Sequence, residues 1–396
     1  MSYFTTTQKL RLFRSLASKR SPAYVQFYIT SRCDLACEQC NIIYGDADAD
    51  EMDIGQIRAV AQNLAEIGTA TVLLIGGEPF VRRDLPEIVK AFIAAGIHVR
   101  LQTNGLASRE RLVACVEAGA HDISISLDSL EGALQDTING GSPGSWERAM
   151  QTVAVVNEIF PENGTAFFGT VLMQRNLTHI PDVIEFATAI GWGVSLVPVH
   201  VTSTQEPRGF RAFDDDGICQ ISAEDLPVVR RVIDRVKELK RQGRNVYDSD
   251  VYLEDIYRFI AGEPTTWRDR NGGVCDSPRL YFAIAPNGNL KPCCDFRLPK
   301  TVPVYSEDFP AMYRDGSVES LALPITSACE GCMYGSYPEV TISSRFLRPA
   351  LERITFFSKR PTTLKPLSYE RMREIAVEIS RSNDIVVGAS EDNEVG

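Results

Sequence analysis

Three cysteines, Cys33, Cys37 and Cys40, fall within the stretch RCDLACEQC at positions 32–40, spaced C-x3-C-x2-C. Thiolates at such spacing bind zinc or iron–sulfur clusters. A structural zinc site closes with four ligands, and three thiols alone do not close one. No histidine lies close by, since His98, His121, His179 and His200 are all far along the chain. Low-potential ferredoxins use C-x2-C-x2-C, a different spacing. The missing ligand either comes from elsewhere or is left open. A cubane held by three thiolates keeps one iron exposed, much as catalytic metal sites keep an exchangeable position.

A second group comprises Cys275, Cys293, Cys294, Cys329 and Cys332. Asn287-Gly288 reads as a hairpin turn between LYFAIAP and NLKPCC. The turn returns Cys293 towards Cys275, and Cys329 and Cys332 add a C-x2-C pair. Four thiolates so placed can close a metal site, zinc among the alternatives. Cys115 and Cys219 stand apart and read as small buried apolar residues.

The elements that position these thiols follow a regular rhythm. Apolar, β-branched runs occur at 24–30, 71–75, 97–102, 122–127, 166–173 and 193–200. Segments of helical spacing separate them at 54–68, 85–96, 109–119, 145–159 and 180–191, several ending in Gly. Six such strands predict an α/β fold with a parallel sheet, as a partial (β/α)6 TIM-type barrel or a doubly wound sheet. Either architecture places its site at the carboxyl ends of the strands. RCDLACEQC follows the first strand, GGEP (76–79) the second and TNG (103–105) the third. SLDS (126–129) ends the fourth, QRN (174–176) follows the fifth, and His200 with Thr202 closes the sixth.

The chain has 396 residues, 44% hydrophobic and 23% charged, with a net charge of −11. That length suits one large domain and a smaller one. We expect boundaries at 1–23 (helical segment), 24–240 (barrel), 241–345 (cysteine-bearing domain) and 346–396 (helical tail). An acidic chain lacks the basic surface that nucleic acid requires. There is no run of 18 apolar residues and no secretory h-region, so a cytoplasmic location is expected. In that compartment clustered cysteines point to metal or redox chemistry.

Charge is unevenly spread. The first 20 residues hold Lys9, Arg11, Arg14, Lys19 and Arg20 and no acid, and RFLRPALERITFFSKR (345–360) mixes basic and bulky apolar residues. These segments read either as solvated helices or as a contact for an anionic membrane surface or an apolar substrate. Met372, Ile375, Ala376 and Ile379 repeat at i, i+3, i+4, i+7, which predicts a helix docked on the core. The stretch 388–396 is expected to be disordered.

C-x3-C-x2-C after the first strand, GGEP after the second and the six β/α units resemble the radical S-adenosylmethionine (SAM) superfamily over roughly residues 24–240. The resemblance implies a [4Fe–4S] cluster on Cys33, Cys37 and Cys40, with SAM chelating the open iron. It further implies cofactor contacts from Gly76, Gly77, Glu78, Pro79, Asn104, Ser126, Asp128 and the backbone up to Met173. One electron, from a donor such as flavodoxin or ferredoxin, would cleave SAM to a 5′-deoxyadenosyl radical that abstracts a substrate hydrogen. The chain departs from the family at Gln39, where an aromatic residue often stands, and at Asn139, where an Arg often follows the SLD stretch.

The spacing of the second group resembles the shortened SPASM, or twitch, domain of some of these enzymes. That implies an auxiliary [4Fe–4S] cluster on Cys275, Cys293, Cys329 and Cys332, acting as electron acceptor, relay or substrate-binding site. The leading expectation is oxidation or rearrangement of a small or medium metabolite. The alternatives are a peptide maturase, against which we weigh the mere 32 residues before Cys33, and an enzyme for an apolar, lipid-like substrate. His200, Thr202 and Arg208 are candidate substrate contacts, and the ordinary pKa of His200 suits proton removal near neutrality.

Overall fold

The computed structural model describes residues 3–37, 39–40, 50–161, 163–200, 219–268, 275–294, 296–329, 331–359, 364 and 366–391. Thr202 and Arg208 lie outside them.

Six strands come first: β1 (Tyr24–Thr30), β2 (Thr71–Gly76), β3 (His98–Thr103), β4 (Asp122–Ser126), β5 (Thr165–Leu172) and β6 (Gly193–Pro198). They pair consecutively and in parallel. Helices connect them: α2 (Ile54–Glu66), α3 (Leu85–Ala94), α4 (Arg109–Glu117), α5 (Gly132–Ile138), α6 (Ser145–Ile159) and α7 (Ile180–Ile190). Helix α1 (Thr6–Ser18) precedes the first strand.

The strand sequences explain the layers. Side chains alternate across a strand. Val25 and Phe27, Val99 and Leu101, and Ile123 and Ile125 are fully buried in the main core. There Phe168 stacks on Trp192 at 4.6 Å. The intervening positions, Gln26, Gln102, Ser124 and Ser195, line the inside of the sheet. The lumen is therefore mixed, because Leu73, Ile75, Val197 and Val199 line it beside these polar side chains.

The expected hairpin is present, with β7 (Tyr281–Ile284) antiparallel to β8 (Leu290–Lys291) and Gly288 at a φ of 83° in the turn. It does not form a sheet of its own. β7 pairs in parallel with β1, Tyr24 opposite Tyr281, so one sheet runs β6-β5-β4-β3-β2-β1-β7-β8. The hairpin thereby extends the barrel wall on the side of the first cysteine loop.

Further helices are α8 (Leu226–Arg241), α9 (Asp250–Ile260), α10 (Phe309–Arg314), α11 (Ser317–Ala328), α12 (Ser336–Arg345), α13 (Leu347–Lys359) and α14 (Tyr369–Glu391). Met372 and Ala376 of α14 are buried on the core. No described helix is long and apolar enough to cross a membrane.

Candidate active site at the carboxyl rim

The cysteine loop leaves β1 and is clamped at once by GGEP. Gly77 N–H donates to Thr30 O at 2.8 Å, and Glu78 N–H to Arg32 O at 2.8 Å. A Cβ on Gly76 would meet Thr30 O at 2.2 Å, and one on Gly77 would meet Arg32 O at 2.2 Å. Both glycines are therefore required by the chain's own backbone, where the cysteine loop begins.

Glu78 turns inward from this clamp. Its carboxylate accepts from Phe80 N–H (2.9 Å), Thr103 Oγ1 (2.9 Å) and Asn104 N–H (2.7 Å). Burial pushes its pKa up to about 7 against these bonds. The brace fixes the loop after β3, and Asn104 Nδ2 then donates to Asp34 Oδ1 at 2.7 Å and lies 3.9 Å from Cys33 Sγ. Asn104 is thus a neighbour of the first thiol.

Cys37 Sγ donates to Asn139 Oδ1 at 3.8 Å. Burial pushes the Cys33 thiol up to about 12 and raises Cys37 as well, with the neighbouring cysteines adding to both. A cationic cluster favours the thiolates instead, so loading it must release protons. Among the described residues no three His, Cys, Asp or Glu side chains converge to metal-holding distances. Three thiols on one clamped loop are the donor set that a three-thiolate cluster would need.

Asp128, buried behind the rim, accepts from Val171 N–H at 2.7 Å and from Gln39 Nε2 at 3.3 Å. Burial pushes its pKa up to about 7. Asn176 Nδ2 donates to Asp128 O (2.9 Å) and Val171 O (2.8 Å), and its Oδ1 accepts from Met173 N–H (3.0 Å). The Met173 side chain is wholly buried. Asp128, Met173 and Asn176 are therefore scaffold for the end of β5. Ser126, Gln39 and Val171 face the cavity itself, a space of about 250 Å³ that also meets Gln26, Gln102 and His200.

His200 is buried between the rim and the segment after Cys332. Its Nε2 accepts from Met333 N–H at 2.9 Å, and its ring stacks on Tyr334 at 3.7 Å. Burial pushes its pKa down to about 3, so it is neutral near pH 7. The sequence expectation rested on the pKa of a solvated imidazole, and burial removes that premise. His200 instead ties the rim to the residues just after Cys332.

In the second group, burial pushes Cys275 up to about 11 and the charge of Cys329 raises it further. Cys275, Cys293 and Cys294 all pack against the apolar cluster that contains Tyr281 and Tyr337. Cys294 faces the lumen, where its Sγ accepts from Tyr28 Oη at 3.1 Å and donates to Gln26 Oε1 at 3.4 Å. Sequence reasoning missed Arg82, although it stands only three residues after GGEP. It is buried and donates to Ile29 O (2.9 Å) and Met52 O (3.1 Å), anchoring the end of β1.

The family model described as "Radical SAM superfamily" matches residues 27–187. The chain is 31% identical over 179 residues to the "PqqA peptide cyclase" of Rhodopseudomonas palustris, covering 43% of this chain and 44% of that protein. It is 31% identical over 274 residues to the protein of that name from Xanthomonas axonopodis pv. citri, covering 69% of this chain and 68% of the relative. Among solved structures, Streptococcus suis SuiB bound to S-adenosylmethionine superposes with a TM-score of 0.58 at 17% identity, covering 76% of this chain and 67% of SuiB, a likeness of fold. The cysteine loop, its GGEP clamp and this identity across two thirds of both chains agree: the chain belongs to the radical SAM superfamily.

Proposed function

We propose that this chain is a radical SAM enzyme that modifies a peptide, a reading now ahead of the small-metabolite one. It is carried by the 274-residue likeness to a peptide cyclase. That length exceeds the residues 27–187 shared with the superfamily at large, so the likeness reaches beyond the common barrel. The lumen supports it, because Gln26, Gln102, Ser124 and Ser195 offer amide and hydroxyl partners for peptide groups.

Cys33, Cys37 and Cys40 would hold a [4Fe–4S] cluster, and SAM would occupy its open position. Together they supply hydrogen-atom abstraction. The GGEP backbone and the Glu78 brace fix the loop, Asn104 and Asn139 flank its thiols, and Ser126 and Val171 frame the cavity. Cys275, Cys293, Cys329 and Cys332 would hold an auxiliary cluster that takes up the substrate's second electron. A flavodoxin- or ferredoxin-class donor would supply the separate electron that cleaves SAM, while the substrate's first electron would leave with the abstracted hydrogen atom.

The test is anaerobic reconstitution with iron and sulfide, reduction with dithionite and addition of SAM. Wild type is expected to form 5′-deoxyadenosine and Cys37→Ala is not. Synthetic peptides encoded beside the gene are then screened by mass spectrometry for loss of two hydrogens in step with deoxyadenosine. Mass changes confined to a small-metabolite extract would overturn the peptide reading.

A further inference from the structure

A second, larger cavity lies at the opposite end of the barrel and is independent of the proposed reaction. It has a volume of about 910 Å³ and meets the first residues of three strands, Tyr24, Thr71 and Asp122. That is near the top of the usual range for small-molecule cavities, about 300–1,000 Å³. Its walls are largely apolar, with Leu12 and Leu16 from α1, Val340 from α12 and Phe357 from α13.

The mouth of this cavity is exposed. Phe13 of α1 is 73% exposed and Ile354 of α13 is 61% exposed, and both line it. On the same two helices Leu10, Leu347 and Leu351 are also exposed. Five of the seven large exposed apolar side chains among the described residues therefore belong to α1 and α13. Leu347, Leu351 and Ile354 repeat at i, i+4, i+7 and share one stripe. A concentrated exposed apolar surface of this kind marks an interaction site.

Charge selects the occupant. The chain carries −11 overall, yet its first 20 residues contain five cations and no acid. Lys9 and Arg14 are exposed beside Phe13, and Lys9 lines the cavity. Arg353 also lines it, with Nη1 3.7 Å from Glu339 Oε1, Nη2 donating to Tyr247 Oη and the guanidinium stacked on the Tyr247 ring at 4.4 Å. Helices that combine Phe, Leu and Ile with Lys and Arg bind the interface of anionic bilayers. We propose that the base of the barrel docks on an anionic membrane leaflet, with acyl chains entering the cavity between α1 and α13. The catalytic rim then faces away from the membrane.

The full-length chain should be co-sedimented with phosphatidylcholine vesicles and with vesicles that also contain phosphatidylglycerol. We expect roughly tenfold more binding to the anionic vesicles, falling as salt is raised. Phe13→Glu combined with Leu351→Glu should abolish it. Lys9→Glu with Arg14→Glu, which leaves the apolar surface intact, should reduce binding to the level of phosphatidylcholine alone. Circular dichroism melts establish that each variant is folded. Equal sedimentation of wild type and the folded variants would overturn the proposal. So would uptake of free fatty acid without vesicle binding, or a dimer that the Phe13→Glu, Leu351→Glu variant dissociates without any vesicle binding.

Discussion

Gln39 Nε2 lies 3.3 Å from Asp128 Oδ2, and this contact joins the cysteine loop to the rim of β4. Gln135 Oε1 accepts from Asp128 N–H at 2.7 Å, and Gln135 Nε2 donates to Asn139 Oδ1 at 3.1 Å. Asn139 in turn accepts from Cys37. The two positions where the chain departs from its family, Gln39 and Asn139, are therefore ends of one network centred on Asp128.

Gln39 Oε1 is buried, without a hydrogen-bond partner among the described residues, and its side chain borders the cavity. A buried acceptor left unmade is costly, so a ligand N–H is its natural partner. Gln39→Ala is expected to weaken SAM binding roughly tenfold, the value of about one hydrogen bond. Iron content should be unchanged. Equilibrium dialysis of the reconstituted protein with labelled SAM measures this, and an unaltered affinity would mean that the amide does not meet SAM.

Glu78 offers acceptors to three donors and has no donor of its own when ionised. Glu78→Gln turns one acceptor into an NH2 group facing an N–H or O–H. We expect a loss of about 1–3 kcal/mol in urea unfolding. Because the brace also places Asn104 beside Cys33, the variant should retain less iron after gel filtration. Wild-type stability and iron content together would show that Glu78 is not a brace.

The β/α rhythm and its rim were legible because local signals agree. Each strand run is apolar or alternating, and Gly68, Gly96, Gly119 and Gly191 end their helices at positive φ. The pairing of β7 with β1 was not legible. Its run YFAI is wholly buried, and a buried run does not specify which strand lies beside it. The roles of Gly76 and Gly77 were half legible: close approach was expected, but the partner is the backbone of residues 30–32. The burial of His200 against Tyr334 and Phe259 was not legible, because those residues come from segments far away in sequence.

Gly77→Ala places a Cβ 2.2 Å from Arg32 O, a rigid backbone atom. The clamp must open or the loop must shift. The first cluster site should fail while the auxiliary one is untouched, so reconstituted iron falls by about half, with [4Fe–4S] at each site. Full iron content in Gly77→Ala would show that the loop adapts.

Asp248 is buried and accepts from Ser195 Oγ (2.9 Å) and Leu196 N–H (2.7 Å). Burial, with Glu339 adding to it, pushes its pKa from 3.8 up to about 7. Between those values the unfolded chain has released a proton that the folded chain keeps. The unfolded state then binds fewer protons, so stability falls as pH rises through this window and levels off above it. Asp248→Asn removes the titration. Raising pH from about 5 to about 8 should cost the wild type on the order of 2–4 kcal/mol more than the variant. Parallel unfolding profiles for the two proteins would refute the raised pKa.

Cys293 and Cys294 are adjacent, and only one is needed to complete a four-thiolate auxiliary site with Cys275, Cys329 and Cys332. Cys294 is engaged in the lumen by Tyr28 and Gln26, and Lys291 Nζ donates to its carbonyl at 2.8 Å. Those bonds hold the thiol towards the substrate cavity. Cys293→Ala should therefore lose about four of about eight irons after reconstitution, and Cys294→Ala should keep about eight. Iron analysis, with the electron paramagnetic resonance of the reduced protein to count distinct clusters, decides between them. The reverse pattern would make Cys294 the ligand and would bring the auxiliary cluster to the edge of the lumen, next to Tyr28.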